Sequence, residues 1–468
     1  MQSKTTLATV TGALFLCGSL LAMSSRSQET QAPQQSPPPK PPVYVAATRE
    51  NYLKFAGEME TMLRRDVLDV WFPRTVDNVN GGFNSNFTHD WQPNGTQGKF
   101  SVFQGRQTWV ASQIAMRRPE LKETFLPIAR HGVEYLDQVL WDKQDGGFFW
   151  GLQDDGKISP VYTDGKHLYG MSFAIYGASA AYQATHDPKA LDLAQRGFRW
   201  IEKHAHDDRN TGYFEWLTRE GKPISAHPET GKVEGLPVAL FPIGYKSMNT
   251  HIHLLEAYSQ LYEVWKDDAL RKRLQELLGI IRDKVSVEPG AMNLYFTNAW
   301  QAIPDHDSYG HDVEAAYLML EAEDVLGVKH DPRTERMAKM LVDHALNYGW
   351  DETYGGFYRD GTTYGKPEDK LKEWWVQYEG LNALLIMHEK YGPEDDRYFK
   401  AFQKQWQFIK DYQVDSEFHG VYELIDTDNK PAGGNGTKGR IWKGSYHDGR
   451  ALLNVEDRLK KLAANGAK

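Results

Sequence analysis

The sequence predicts an all-α protein, an (α/α)6 barrel, on three observations. Long segments carry apolar residues at helical spacing, no run alternates strongly enough to build a sheet, and a turn of glycine plus aromatic recurs about every 65 residues. Helical spacing covers residues 52–71, 103–116, 125–140, 170–182, 190–204, 248–265, 270–285, 311–326, 333–348, 373–391 and 396–412, and a last helix follows His447. The turns are Gly81-Gly82-Phe83, Gly146-Gly147-Phe148, Thr211-Gly212-Tyr213, Asn293-Leu294-Tyr295-Phe296, Gly355-Gly356-Phe357 and His419-Gly420-Val421-Tyr422. Such a period fits two helices plus their loops, so six copies give six helical hairpins. An open array would need polar end caps, whereas a closed ring of six inner and six outer helices needs none. A glycine- and proline-rich insertion, 219–242, lengthens the interval around the weakest, fourth copy.

Ahead of the barrel, Lys4 precedes an apolar run at 7–21 that is short for a membrane span, with small residues at Ala22 and Ser24. Residues 1–24 therefore read as a signal peptide, with a retained anchor or a lipid on Cys17 as alternatives. Residues 25–44 are rich in Pro, Gln and Ser and cannot bury a core, so they read as a disordered linker before a single domain at 45–460. The expected location is outside the cytoplasm, in the periplasm or beyond.

Composition narrows the chemistry. Cys17 is the only cysteine, which removes disulfides, thiol nucleophiles and cysteine metal sites from the mature chain. The 54 Lys+Arg against 63 Asp+Glu, without charge blocks, disfavours nucleic acid as a partner. The 14 Trp and 24 Tyr, many beside Gly, Asp or His, suit a carbohydrate, because a flat ring packs on the C–H face of a pyranose.

Three segments concentrate the candidate groups. In the run from Lys246 to Glu256, helical offsets put Asn249, His253 and Glu256 on one face and turn His251 away. In Tyr309-Gly310-His311-Asp312-Val313-Glu314, His311 and Glu314 lie three apart at a helix start, so a carboxylate can orient the imidazole. The stretch from Ile441 to Arg450 sets His447 between a loop and the last helix, which makes it the more mobile partner of the two. Two histidines facing each other across a ring cavity suit removal of a proton on one face of a planar intermediate and its return on the other. Arg106, on an otherwise apolar face, needs either a structural ion pair or an anion that develops during reaction. The Trp374-Trp375 pair reads as core with at least one ring open to the cavity. His204, His330 and His344 read as solvated.

These segments together resemble the N-acylglucosamine 2-epimerase superfamily, and within it the cellobiose (mannobiose) 2-epimerases. The similarity is carried by Arg106 with Gln104 and Trp109, by Lys166-His167-Leu168-Tyr169-Gly170, and by the run from Met248 to Tyr258. Gly310-His311-Asp312-Val313-Glu314, Trp374-Trp375-Val376-Gln377 and Trp442-Lys443-Gly444-Ser445-Tyr446-His447 continue it in family order. The resemblance implies His311 and His447 as the two acid/base groups, Glu314 as support for His311, and Arg106 on the oxygen of a cis-enediolate. It also implies His253 and Asn249 on the reacting sugar, and aromatic walls from Tyr169, Trp374 or Trp375, and Trp442. No metal, no nicotinamide and no other cofactor are implied. The activity expected is inversion at C2 of an aldose or of the reducing-end sugar of a disaccharide. An aldose–ketose isomerase on the same scaffold is the nearest alternative, ahead of a glycoside hydrolase, a lyase or a sugar-binding scaffold. Gly105 and Gln107 beside the arginine, the 219–242 insertion and the export signal depart from the family pattern.

Overall fold

The computed structural model describes residues 43–225, 244–328, 330–433 and 437–465. The signal peptide, nearly all of the linker and most of the insertion expected from sequence lie outside the described residues.

Among these residues, twelve long helices alternate between two layers. In chain order they are α1 (Arg49–Met62), α2 (Ser101–Arg117), α3 (Lys122–Tyr135), α4 (Leu168–Thr185), α5 (Pro188–His204) and α6 (Met248–Val264). The second half holds α7 (Asp268–Ile280), α8 (Tyr309–Leu326), α9 (Pro332–Tyr348), α10 (Trp374–Tyr391), α11 (Arg397–Phe408) and α12 (Tyr446–Asn465). The even-numbered helices form an inner ring. Each packs on the next, and α12 returns against α2, so the ring closes as an (α/α)6 barrel.

Burial separates the layers as the sequence pattern requires. Every residue of α2 from Ser101 to Ala115 is buried, as a helix enclosed on all sides must be. On the outer helix α5, buried Ala190, Leu193, Ala194, Gly197, Phe198 and Ile201 mark one stripe. Inner backbones touch where side chains are absent: a Cβ on Gly105 would sit 2.1 Å from the Phe173 carbonyl oxygen, and one on Gly177 would sit 2.5 Å from that of Gly105. Gly105, odd against the family pattern, thus lets α2 and α4 meet.

The strands are only two or three residues long and lie at the helix junctions. Lys99–Phe100 pairs with Gly151–Leu152, Lys166–His167 with Trp216–Leu217 and Lys372–Glu373 with Leu424–Ile425. Phe87–Thr88 pairs with Thr437–Gly439, which ties the first hairpin to the last. Each such stitch delivers the chain to the N-terminus of an inner helix, so all six inner N-termini share one end of the barrel.

That end is braced by a repeated ion pair. In five junctions an aspartate opening the turn meets a lysine just before the inner helix: Asp77 with Lys99 (2.7 Å), Asp142 with Lys166 (2.8 Å), Asp207 with Lys246 (2.8 Å), Asp351 with Lys372 (2.7 Å), and Asp415 with Lys438. Lys99, Lys246, Lys372 and Lys438 also donate to carbonyl oxygens of their turns. The fourth junction differs. Its turn is the Ser286–Val287 and Ala291–Met292 hairpin, so the expected turn at 293–296 is displaced; Tyr295–Phe296 instead pairs with Lys246–Ser247 and Ala302–Ile303. Val287 stands at the aspartate position there, and Asp307 at the lysine position.

Candidate active site

The first turns of the inner helices surround a cavity of about 380 Å³ at the braced end. Its lining includes all ten sequence-predicted site residues: Arg106 from α2, Tyr169 from α4, Asn249 and His253 from α6, His311 and Glu314 from α8, Trp374 and Trp375 from α10, His447 from α12, and Trp442 just before it. Converging helix N-termini carry partial positive charge, so the fold itself favours an anion here.

Three imidazoles are tethered in the same manner, each through Nδ1. His447 Nδ1 lies 2.6 Å from Glu379 Oε1, His253 Nδ1 lies 2.9 Å from Glu256 Oε2, and His311 Nδ1 lies 2.8 Å from Ser308 Oγ. Nε2 of each ring is thereby left for the cavity. Trp375 touches both outer members of the set, with ring centroids 4.8 Å from His311 and 5.7 Å from His447. Burial pushes the His311 imidazole down to about 3, helped by the neighbouring His253 and His447. Burial, then Arg106 and Arg450, hold His447 well below its ordinary value. In the free site both rings are held neutral.

The tethers correct two expectations. Glu314 does not orient His311: Ser308 does, and Glu314 instead accepts from Arg450. His447 is not the loosely held partner, because it starts a helix and its Nδ1 faces the buried Glu379, which also accepts from Tyr317 Oη at 2.5 Å.

Beneath the histidines, Arg450 joins three inner helices. Its guanidinium, 2 % exposed, donates to Glu256, Glu314 and Glu379, at 2.6 Å for the last. Burial works to raise Glu256, yet Arg450 and His253 hold it at about 2. Glu314 and Glu379 are raised by burial against the pull of the same arginine. Sequence reasoning passed over Arg450 and Glu379. Three carboxylates on apolar inner helices were the available signal, since buried anions demand a cation.

Arg106 is the opposite case. It is 6 % exposed and forms no ion pair with any described residue. One nitrogen donates to Tyr169 Oη at 3.0 Å, the guanidinium lies over Phe173 (4.2 Å) and Tyr446 (4.9 Å), and Nε has no hydrogen-bond partner. The structural ion pair considered from sequence is absent among the described residues. Three further groups complete the rim: Arg359, which pairs with Glu373 at 3.2 Å, Glu373 itself, and Arg440, which pairs with Glu423. No motif marks them. His251, buried between the Ser247 carbonyl and the Tyr213 amide, is a core residue, and His306 is exposed beside Asp305.

The family model described as N-acylglucosamine 2-epimerase (GlcNAc 2-epimerase) matches residues 81–447. The chain belongs to the N-acylglucosamine 2-epimerase family. It is 32% identical to a cellobiose 2-epimerase of Bacteroides fragilis, over 85% of this chain and 97% of that protein. A D-mannose isomerase of Marinomonas mediterranea is 24% identical, over 82% of this chain and 93% of its own length. The solved structure of cellobiose 2-epimerase from Spirochaeta thermophila superposes with a TM-score of 0.76 at 29% identity, covering 88% of this chain and 98% of that one. The protein is thus an enzyme of the sugar epimerase and isomerase group, a carbohydrate 2-epimerase by its family.

Proposed function

We propose that the protein inverts C2 of the reducing-end sugar of a β-linked disaccharide. The observation that carries this reading is Arg106: a buried cation without an anion among the described residues, in one cavity with two histidines that share Trp375. The rim formed by Arg359, Glu373 and Arg440 leaves polar groups beyond the reacting sugar for a second ring. The similarity to cellobiose 2-epimerases, higher than that to D-mannose isomerase, supports the same choice.

The hydrogen beside an aldehyde is too weak an acid for an unaided imidazole, so the ring opens first. His253 and Asn249 stand where the ring oxygen and hydroxyls of the first sugar would lie. One histidine then takes the C2 proton through Nε2, and the electrons of the C–H bond move into a cis-enediolate. Arg106 meets the charge on its oxygen with N–H donors already in place, a contribution of about 2.7–4 kcal/mol if it equals one oxyanion donor. The arriving negative charge raises both imidazoles, so the first stabilises its gained proton. The second histidine, which carries a proton on Nε2 in the reacting complex, gives it to the opposite face and is left neutral as the first is left protonated; exchange with solvent resets the pair.

Incubation in heavy water with cellobiose, mannobiose, glucose, mannose and N-acetylglucosamine, read by NMR, tests this. Deuterium at C2 of a disaccharide epimer is the expected result; a ketose product would make the protein an isomerase. We propose export as well, from the 7–21 apolar run and its flanks; expression with and without residues 1–24, followed by fractionation, checks it. No helix of the described residues is long and apolar enough to cross a membrane.

A further inference from the structure

The fourth junction lacks the cation that the other five possess. In place of a lysine it has Asp307, and close to it lie Asp312, from the first turn of α8, and His344, from the outer helix α9. His344, expected from sequence to be solvated, is 2 % exposed, and both aspartates are fully buried. His344 Nδ1 lies 3.4 Å from Asp307 Oδ2 and 3.4 Å from Asp312 Oδ2. Neither oxygen of Asp312, nor Asp307 Oδ2, nor His344 Nδ1 has a hydrogen-bond partner. Four unsatisfied atoms thus lie in one buried cluster, where each costs about 1–3 kcal/mol if left so.

The tautomer of His344 sharpens this. Its Nε2 lies 2.9 Å from the Thr363 carbonyl oxygen, which can only accept, so Nε2 carries the hydrogen and the neutral ring presents its Nδ1 lone pair to the two carboxylates. A metal-ligating histidine is held in the same way, with its far N–H on a carbonyl or carboxylate. The spacing also fits a metal. A proton held between nitrogen and oxygen draws them to about 2.7–3.2 Å. Ligands at the bond lengths of zinc, arranged as a tetrahedron, stand about 3.3–3.4 Å apart.

We propose that Asp307, Asp312 and His344 form a structural site for a divalent cation of the zinc class. The ion would do for the fourth junction what a lysine ammonium does in the other five, and would fasten α9 to the start of α8, which carries His311. Oxygen and imidazole ligands without thiolate fit zinc or a neighbouring first-row ion. The second cluster of this kind, Glu314, Glu379 and His447, already has its cation in Arg450. The proposed ion takes no part in the proton transfers.

Chelator-stripped full-length protein should take up one Zn²⁺ per chain by titration calorimetry, with an upward shift of its melting temperature, and Co²⁺ should give the visible bands of a tetrahedral site. Asp312→Asn and His344→Ala should each weaken Zn²⁺ binding at least about 100-fold and abolish the melting shift. His447→Asn should bind as wild type does. Zinc-edge absorption of the wild-type complex, which needs no variant to fold, should show one imidazole among oxygen neighbours. Absence of stoichiometric uptake by wild type, uptake that survives both Asp312→Asn and His344→Ala, or loss of uptake in His447→Asn would each overturn the site. A melting temperature raised by Asp312→Asn and indifferent to Zn²⁺ would show two carboxyls sharing a proton instead.

Discussion

Arg106 and Arg450 are two guanidiniums buried in the same inner ring, and they are satisfied in opposite ways. Arg450 meets three carboxylates from α6, α8 and α10, and through Glu256 and Glu379 it fixes His253 and His447. Arg106 meets a phenol, two aromatic faces and, among the described residues, no carboxylate. A buried ion with its counter-ions in place is architecture, whereas a buried cation without one holds a position for charge that arrives with the reaction. The difference assigns Arg450 to holding the catalytic groups and Arg106 to the intermediate.

The largest effect should come from the two cavity histidines, His311 and His447. His311→Asn and His447→Asn should each lower epimerisation by roughly 10²–10⁴-fold, the range of a general acid–base group. Each variant should still exchange the C2 hydrogen from only one epimer; near wild-type epimerisation by both would remove the histidines from the chemistry. Arg450→Met comes next and acts on the fold. Leaving three carboxylates buried without their cation should cost about 3–5 kcal/mol in denaturant unfolding, and an unchanged midpoint would mean that the network is dispensable.

Acid tolerance follows from the imidazoles. A general base works only when neutral, and a lowered value keeps it neutral to lower pH. The acid limb of kcat/KM should therefore lie well below 6.5, moving toward the value of about 3 held by His311. A limb at 6.5 would mean that the histidines are solvated as in a free peptide. The smallest effect should be that of Ser308→Ala, which removes the neutral tether of His311. A loss of about 1 kcal/mol, seen in kcat more than in KM, fits one hydrogen bond between uncharged groups.

The fold was legible because helical spacing and turn glycines are local properties, and the ring followed from their number. Helix starts carried the site as well: Asn249, His253, His311 and Glu314 show their shared faces by spacing alone. The misreadings have a common cause in contacts between helices distant in the chain. Glu314 is near His311 in sequence, but Arg450, 136 positions away, is what it accepts from. His344 sits on an amphipathic outer helix, where a histidine reads as solvated unless its facing aspartates are known. The Lys–Asp braces join residues 21 to 39 positions apart across loops of unequal length, so no fixed spacing reveals them. The fourth turn was misplaced because Tyr295 and Phe296 supply aromatics outside the turn they were expected to mark.

The contrast between the arginines is tested most directly by Arg106→Met, measured for both stability and C2 exchange in heavy water. The account predicts a melting temperature equal to or above that of wild type, because no carboxylate is orphaned. It also predicts a fall in C2–H exchange of roughly 10²–10³-fold, the worth of one oxyanion donor. A variant that loses several kcal/mol of stability, as Arg450→Met should, yet exchanges C2 deuterium at the wild-type rate would contradict it and make Arg106 a packing residue.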